Sequence, residues 1–425
     1  MKVLLSAYSC SPTAGSEPAI GWNWARCIAA AGHKVVVATR AINRKEIETY
    51  CTKEPMENAR FLFHDLAPAV QKLYKLPFGN YAYYTLWQYT VARKAERLHA
   101  AEHFDRVQHI TWGSFRLPSF MGRLGIPFIF GPVAGGEDTP KLLRKGLGAR
   151  GRLWDWLRRV SNSMLTLNPW MRTTYEQAGE IVATTAETLE AIPMEHRGKA
   201  RIQQAVGIAP ENFGTGAKHE EGDIAAGQKR SAPGGQDSRT RLNLLYVGRL
   251  LPWKGLHLGL RALGKLGERA ADVHLTVIGT GSDEARLKEL SRELGLEEKV
   301  SWVRWMKREE LLGKYPSFDL FLFPSLHDSG GMAILEAMWF GLPVLCLDLG
   351  GPGVSVNNTS GRVVKTAGRR EEEVAERIAD FLREAQADRA MLTRLSEGAR
   401  RRARTLTWEA NVRTMYARNL AAQAD

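Results

Sequence analysis

Only four cysteines, Cys10, Cys27, Cys51 and Cys346, are spread over 425 residues, and none has CxxC spacing with another. Such scarcity argues against a disulfide framework or a zinc site and fits a reducing compartment. Long apolar runs are missing too. None reaches the roughly 20 residues of a bilayer-spanning helix, so any membrane association is expected to be peripheral. The opening MKVLLSAYSC lacks a basic leader and has too short an apolar stretch before Cys10 for a lipoprotein signal, so it reads as a first buried strand. No repeat of 20 to 50 residues and no nucleic-acid reader motif is visible, which leaves nucleic acid off the list of expected partners.

What is present describes a globular chain. Hydrophobic residues make up 44% and charged residues 25%, excluding disorder as a whole-chain state. The length exceeds what one core usually supports, so two domains are expected. The net charge of +13 points to an anionic partner: phosphorylated substrates or an anionic membrane surface. Its densest part lies in 141–172, where Lys141, Arg144, Lys145, Arg150, Arg152, Arg158, Arg159 and Arg172 face only Asp155 and are interleaved with Leu153, Trp154, Trp156, Leu157 and Val160. A basic helix bearing aromatics suits the surface of an anionic bilayer; a solvated helix face is the plainer reading.

Short β-branched runs alternate with helical patterns along the whole chain, the mark of βαβ units and parallel sheets. Strands are predicted at 1–7, 34–39, 60–63, 106–110, 128–130 and 180–184, and again at 242–248, 273–279, 300–303, 320–323 and 343–347. Between the two sets, 214–240 is polar, rich in Gly and Ala and free of aromatics, and is expected to be a flexible insertion. The fold class is therefore α/β with two doubly wound parallel sheets. Residues 1–213 form one domain, 241–407 the other, and a last helical segment, 408–425, follows.

The chemistry concentrates in FLFPSLHDSGGMAILEAMWFGLPVLCLDLGGPG, residues 321–353. A buried strand runs into a loop with His327, Asp328 and Ser329, then two glycines, then a helix carrying Glu336. Glycines before a helix let backbone N–H groups approach an anion, and the helix dipole adds about half a positive charge there. Asp328 and Glu336 could then hold hydroxyls on either side of a bound diphosphate, each carboxylate accepting from two.

This stretch resembles the acid-x7-Glu motif of the retaining glycosyltransferases of family four, which have the GT-B fold of two Rossmann-like domains facing a central cleft. The resemblance implies that Asp328 contacts the sugar, that Gly330, Gly331 and Met332 reach the sugar and diphosphate, and that Glu336 binds the ribose. Asp328 is one methylene shorter than the usual Glu, and Gly330 stands where Phe is usual, so donor identity stays open. LLYVGRLLPWKGLHLGLRAL, 244–263, is similar to the family's G-R-L-x-x-x-K-G segment, which assigns Arg249 and Lys254 to the diphosphate. There, fixed cations are worth most as charge builds on the leaving group.

Further pieces follow in order. LTVIGTGSDEARLKEL brings Gly279, and VSWVRWMKREELLGKY resembles the loop framing the nucleobase, implying Arg304, Trp305 and Met306. The family normally has Gly at the position of Arg304, leaving the base open, and Trp305 reads equally well as plain packing. In the first half, SCSPTAGSEPAIGWNW resembles the opening glycine loop, with Gly15 near the diphosphate or acceptor and Glu17 on the acceptor side. RVQHITWGSFRLPS places His109 at a strand end facing the cleft, near the sugar's primary hydroxyl, with a core histidine as the bland reading. GPVAGGEDTP brings Glu137 to the acceptor side, or forms a tight turn. LTWEANVRTMY resembles the terminal helix that crosses back to the first domain.

The resemblance implies a hexosyltransferase that moves a sugar from a nucleoside diphosphate sugar to a glycan or lipid-linked acceptor with retention. Cell-surface polysaccharide or glycolipid synthesis is the expected setting, in the cytoplasm or on the inner face of the plasma membrane. No DxD motif occurs, so no metal and no cofactor beyond the donor itself is expected, and domain closure would exclude water. A nucleotide-sugar epimerase, a phosphorylase and a non-catalytic binding protein of the same fold remain alternatives.

Overall fold

The computed structural model describes residues 1–163, 168–213 and 241–421; the insertion expected at 214–240 lies outside them. The chain divides into two compact units, Met1–Gly136 with Arg159–Val206 and Trp408–Asp425, and Glu137–Arg158 with Gly207–Thr407.

In the first unit the strands are β1 (Lys2–Ala7), β2 (Lys34–Arg40), β3 (Ala59–His64), β4 (Arg106–Thr111), β5 (Phe128–Val133), β6 (Glu180–Ala183) and β7 (Ala200–Ile202). They form one sheet in the order β3-β2-β1-β4-β5-β6-β7, with parallel pairing throughout. The inner strands β1 and β4 are almost wholly buried, as parallel strands covered by helices on both faces must be. One covering layer is the Glu17–Ala30 helix, whose Trp24 Nε1 donates to the Ala205 carbonyl. The helix Trp408–Ala421 packs in the same unit, with Tyr416 Oη donating to Gln108 Oε1 at 2.7 Å and Arg26 paired to Glu409.

In the second unit β8 (Leu242–Val247), β9 (Val273–Ile278), β10 (Val300–Val303), β11 (Leu320–Phe323), β12 (Val344–Leu347) and β13 (Gly361–Val364) form a parallel sheet ordered β10-β9-β8-β11-β12-β13. In both sheets the winding direction reverses beside the first strand, between β1 and β4 and between β8 and β11. Ligands of doubly wound sheets bind at the carboxyl ends of the strands flanking such a reversal.

Two strands escape the sequence reading. Both β7 and β13 are sheet-edge strands of three or four residues with half-exposed positions, so neither presents an apolar run. The compact units do not follow the boundary drawn at residue 213 in one respect. Glu137–Arg158 follows β5 in the chain but groups with the second unit, because Leu143 and Leu147 join its core beside Leu244, Leu256 and Leu322.

Candidate active site

Loops after β8 and β11, on either side of the reversal in the second sheet, build the site. The first runs through Arg249 to Lys254 and turns into the next helix at Gly255, whose φ is +67°. A Cβ there would lie 1.9 Å from the Pro324 carbonyl oxygen, so glycine lets this loop touch the end of β11. Gly279, at the end of β9, has φ +152° and approaches the Gly248 carbonyl just as closely. Glycine there lets the two backbones meet.

The contact at Gly255 brings Lys254 Nζ against Asp328 Oδ2 in a half-buried ion pair. The other oxygen, Oδ1, accepts from the amides of Gly330 and Gly331, each at 3.3 Å. Asp328 thus occupies the cation and the two amides that the sequence reading assigns to the diphosphate. Gly331 has φ +68° and caps the Met332–Trp339 helix, and the Asp328 carbonyl accepts from Gly351 N at 2.7 Å. Glu336 is buried one turn into that helix, where Oε1 accepts from Arg308 Nη2 at 2.7 Å. Arg249 is exposed, and its carbonyl accepts from Tyr246 Oη at 3.2 Å.

Next to this pair, the His327 ring stacks on Trp253 with centroids 5.4 Å apart and planes 11° apart. Burial, and after it the charges of Arg158 and Lys254, hold the His327 imidazole well below its usual range. It is therefore neutral at physiological pH. In the expected base-framing loop, Arg304 and Trp305 are exposed and Met306 is half-buried. At 74% exposure Trp305 is not packed into the core formed by the described residues.

Glu17 and His109 lie in the first unit, at the reversal between β1 and β4. Glu17 Oε1 accepts from Gly113 N at 2.8 Å; burial raises its pKa, and that hydrogen bond opposes the rise. Gly15 is exposed in the preceding loop with open space around it. His109 is fully buried, so its side chain does not line an open surface as expected. Its Nε2 donates to the Trp112 carbonyl at 3.2 Å, and burial pushes its pKa down to about 4, leaving a neutral ring tucked against Phe130 and Tyr84. Glu137 is buried in the second unit, in the electrostatic neighbourhood of Arg158.

Sequence reasoning missed Trp253, Arg308 and the inward turn of Arg158. A signal for the first existed: Trp253 immediately precedes Lys254, so any loop placing one places the other. Nothing in the spacing singles out Arg308 among the charges of MKREEL.

Comparison with known proteins bears on the family and the fold. The family described as "Glycosyl transferases group 1" matches residues 234–402, and "Glycosyl transferase 4-like domain" matches 15–203. A D-inositol 3-phosphate glycosyltransferase of Rhodococcus erythropolis is 31% identical over 196 residues, 42% of this chain and 43% of that protein. The chain thus spans less than half the length of that curated relative. Among solved structures, sucrose-phosphate synthase from Thermosynechococcus elongatus superposes with a TM-score of 0.59 at 17% identity, covering 99% of both chains. The Anabaena protein HepE in complex with UDP-glucose does so with a TM-score of 0.54 at 15% identity, covering 99% of this chain and 100% of that one. At such identities the structures speak for the fold, while the two family matches cover the second sheet and all of the first but β1. The chain belongs to the group 1 glycosyltransferases and has their GT-B fold.

Proposed function

We propose that this glycosyltransferase moves a sugar, with retention, from a nucleoside diphosphate sugar to an acceptor hydroxyl, without a metal or other cofactor. The observation that carries the reading is the Lys254–Asp328 pair, with two glycine amides on the same carboxylate, at the reversal of the second sheet. In the reaction the bond from the anomeric carbon to the diphosphate oxygen breaks. The acceptor oxygen bonds to that carbon on the same face, and its proton passes to the departing phosphate oxygen. Negative charge grows on the leaving diphosphate, where Lys254 and Arg249 are the available fixed cations. Asp328 would exchange its present partners for sugar hydroxyls, and Glu336 would take the ribose. Gly15 and Glu17, near the carboxyl end of β1, are assigned to the acceptor and the transferred sugar, while the buried His109 is left to the core. That HepE holds UDP-glucose supports a nucleotide-sugar donor.

A glycan or lipid-linked acceptor at an anionic membrane surface fits the Gly148–Ser163 helix, which is turned inside out. Its apolar Leu153, Trp154, Trp156, Leu157 and Val160 are exposed while Gly151 and Asp155 are buried. Exposed Lys141, Lys145, Arg150 and Arg152 supply positive charge beside that apolar face. Arg158, expected among the lipid-facing cations, turns inward instead. The setting is then cell-surface polysaccharide or glycolipid synthesis at the inner face of the plasma membrane. Among the described residues no helix is long and apolar enough to cross a membrane.

A thermal-shift panel of UDP, GDP and ADP sugars tests the donor, because a ligand that binds only the native state raises its melting temperature. NMR of the product anomer tests retention. No stabilisation by any donor, or an inverted product, would overturn the reading. Flotation with anionic vesicles should be lost on Trp154→Ser with Trp156→Ser; equal binding to neutral vesicles contradicts the membrane assignment.

A further inference from the structure

The inward face of the Gly148–Ser163 helix carries Gly151, Asp155 and Arg158, spaced four and three apart and so aligned on one side. Gly151 sits on the loop after β8: a Cβ there would lie 2.9 Å from the Pro252 side chain, two residues before Lys254. Two turns further, Arg158 is half-buried, and its Nε and Nη2 atoms are out of solvent with no hydrogen-bond partner among the described residues.

Three acids lie in its electrostatic neighbourhood, Glu137, Asp138 and Asp155. Two of them are engaged by Arg144, which pairs with Asp138 at 2.9 Å and Asp155 at 3.2 Å. The field of Arg158 also falls on His327, which neighbours Asp328 in sequence and stacks on Trp253. Burying a guanidinium with unpaired N–H groups is costly. A planar fork whose Nε and Nη2 have no hydrogen-bond partner among the described residues, acting on the same His327 as Lys254, is suited to an anion with several oxygens, which it can grip through two parallel bonds.

We propose that Arg158 is a donor-binding residue, a further cation that grips the diphosphate from the inward face of the basic helix alongside Lys254. This rests on the donor site described above and adds to it a residue from outside the β8 and β11 loops. It also gives the helix two faces with separate work, one turned to solvent and one turned to the leaving group.

The test is a titration of the full chain with UDP, GDP and ADP and with the corresponding nucleosides, on wild type, Arg158→Gln and Arg158→Lys. Arg158→Gln is expected to weaken the preferred diphosphate by tenfold or more and to change nucleoside affinity less than twofold, with Arg158→Lys recovering part of the loss. Without ligand, Arg158→Gln should melt at or above the wild-type temperature, because it removes an unpaired buried charge; a structural residue would lower it. Wild-type affinity for the diphosphate in Arg158→Gln overturns the inference alone, as does an equal loss for the nucleoside. Wild-type protein that binds none of the three diphosphates overturns the donor-site reading and this inference with it.

Discussion

The Arg308 guanidinium donates to Glu336 Oε1 at 2.7 Å while lying 5.7 Å from the centre of the Phe213 ring. A carboxylate as buried as Glu336 needs such a partner, since an unpaired buried charge is destabilising. A ribose that takes this carboxylate must displace Arg308 or share it. Arg308→Ala is therefore expected to leave the donor KM unchanged or lower it, whereas Glu336→Gln raises it about tenfold or more, about 1.4 kcal/mol of lost binding. Steady-state kinetics with varied donor decides between them. A tenfold rise in Arg308→Ala would make the arginine part of the ribose site instead of its competitor.

Lys254 and Asp328 should behave as one unit. Each of Lys254→Ala and Asp328→Asn is expected to cut kcat/KM by about tenfold or more. Because the two side chains touch, the double variant should lose less than the sum, with a coupling of about 0.5–3 kcal/mol. Strict additivity in a double-mutant cycle would show that the pair seen here is not one functional element.

The positions of most strands, the loops holding Asp328, Arg249 and Lys254 and the helix carrying Glu336 were legible in the sequence, because buried parallel strands are written as contiguous apolar runs and their following loops as glycine-rich breaks. The inward face of the basic helix was not. Its residues read as an ordinary amphipathic pattern, and periodicity says which side chains share a face without saying which face is covered. Here the covering is reversed: Asp155 and Arg158 turn in, Trp154 and Trp156 turn out. His109, read from the sequence as facing the cleft or as a core histidine, is buried, and the sequence left the two open for a related reason. A strand-end position fixes the direction of the backbone, but the rings of Tyr84 and Phe130, which close over it, come from elsewhere in the chain.

Gly255 joins the two loops of the site, so its substitution should damage fold and site together. With φ at +67° and the Pro324 carbonyl 1.9 Å from where a Cβ would stand, Gly255→Ala strains the turn and forces the β8 loop off β11. A cost on the order of 1–3 kcal/mol is expected, which in a protein of this size lowers Tm by about one to three degrees. Calorimetry on the variant measures it. Gly15→Ala, where the space is open and no left-handed φ is required, serves as the control and should melt like wild type. Equal Tm values for both variants would refute the close approach.

His109 ties stability to pH. Burial lowers its folded pKa to about 4, against an ordinary value of about 6.5. Above about pH 6.5 the ring is neutral in both folded and unfolded chains and contributes no pH dependence. Between about 6.5 and 4 the unfolded chain binds a proton that the folded chain does not, so stability falls as pH falls. Below about 4 the folded ring also protonates and the loss stops growing, at a total on the order of 3 kcal/mol for this one group. His64, at about 4, and His257, at about 3, are shifted in the same direction by burial, so the whole protein softens in acid for more than one reason. The contribution of His109 is isolated by comparing wild type with His109→Gln in urea at a series of pH values. The stability difference, wild type minus variant, should shrink steadily from pH 7 to pH 4.5. A difference that stays constant across that range would mean that His109 charges as readily in the folded chain as in water, and that its burial beneath Tyr84 is not what keeps it neutral.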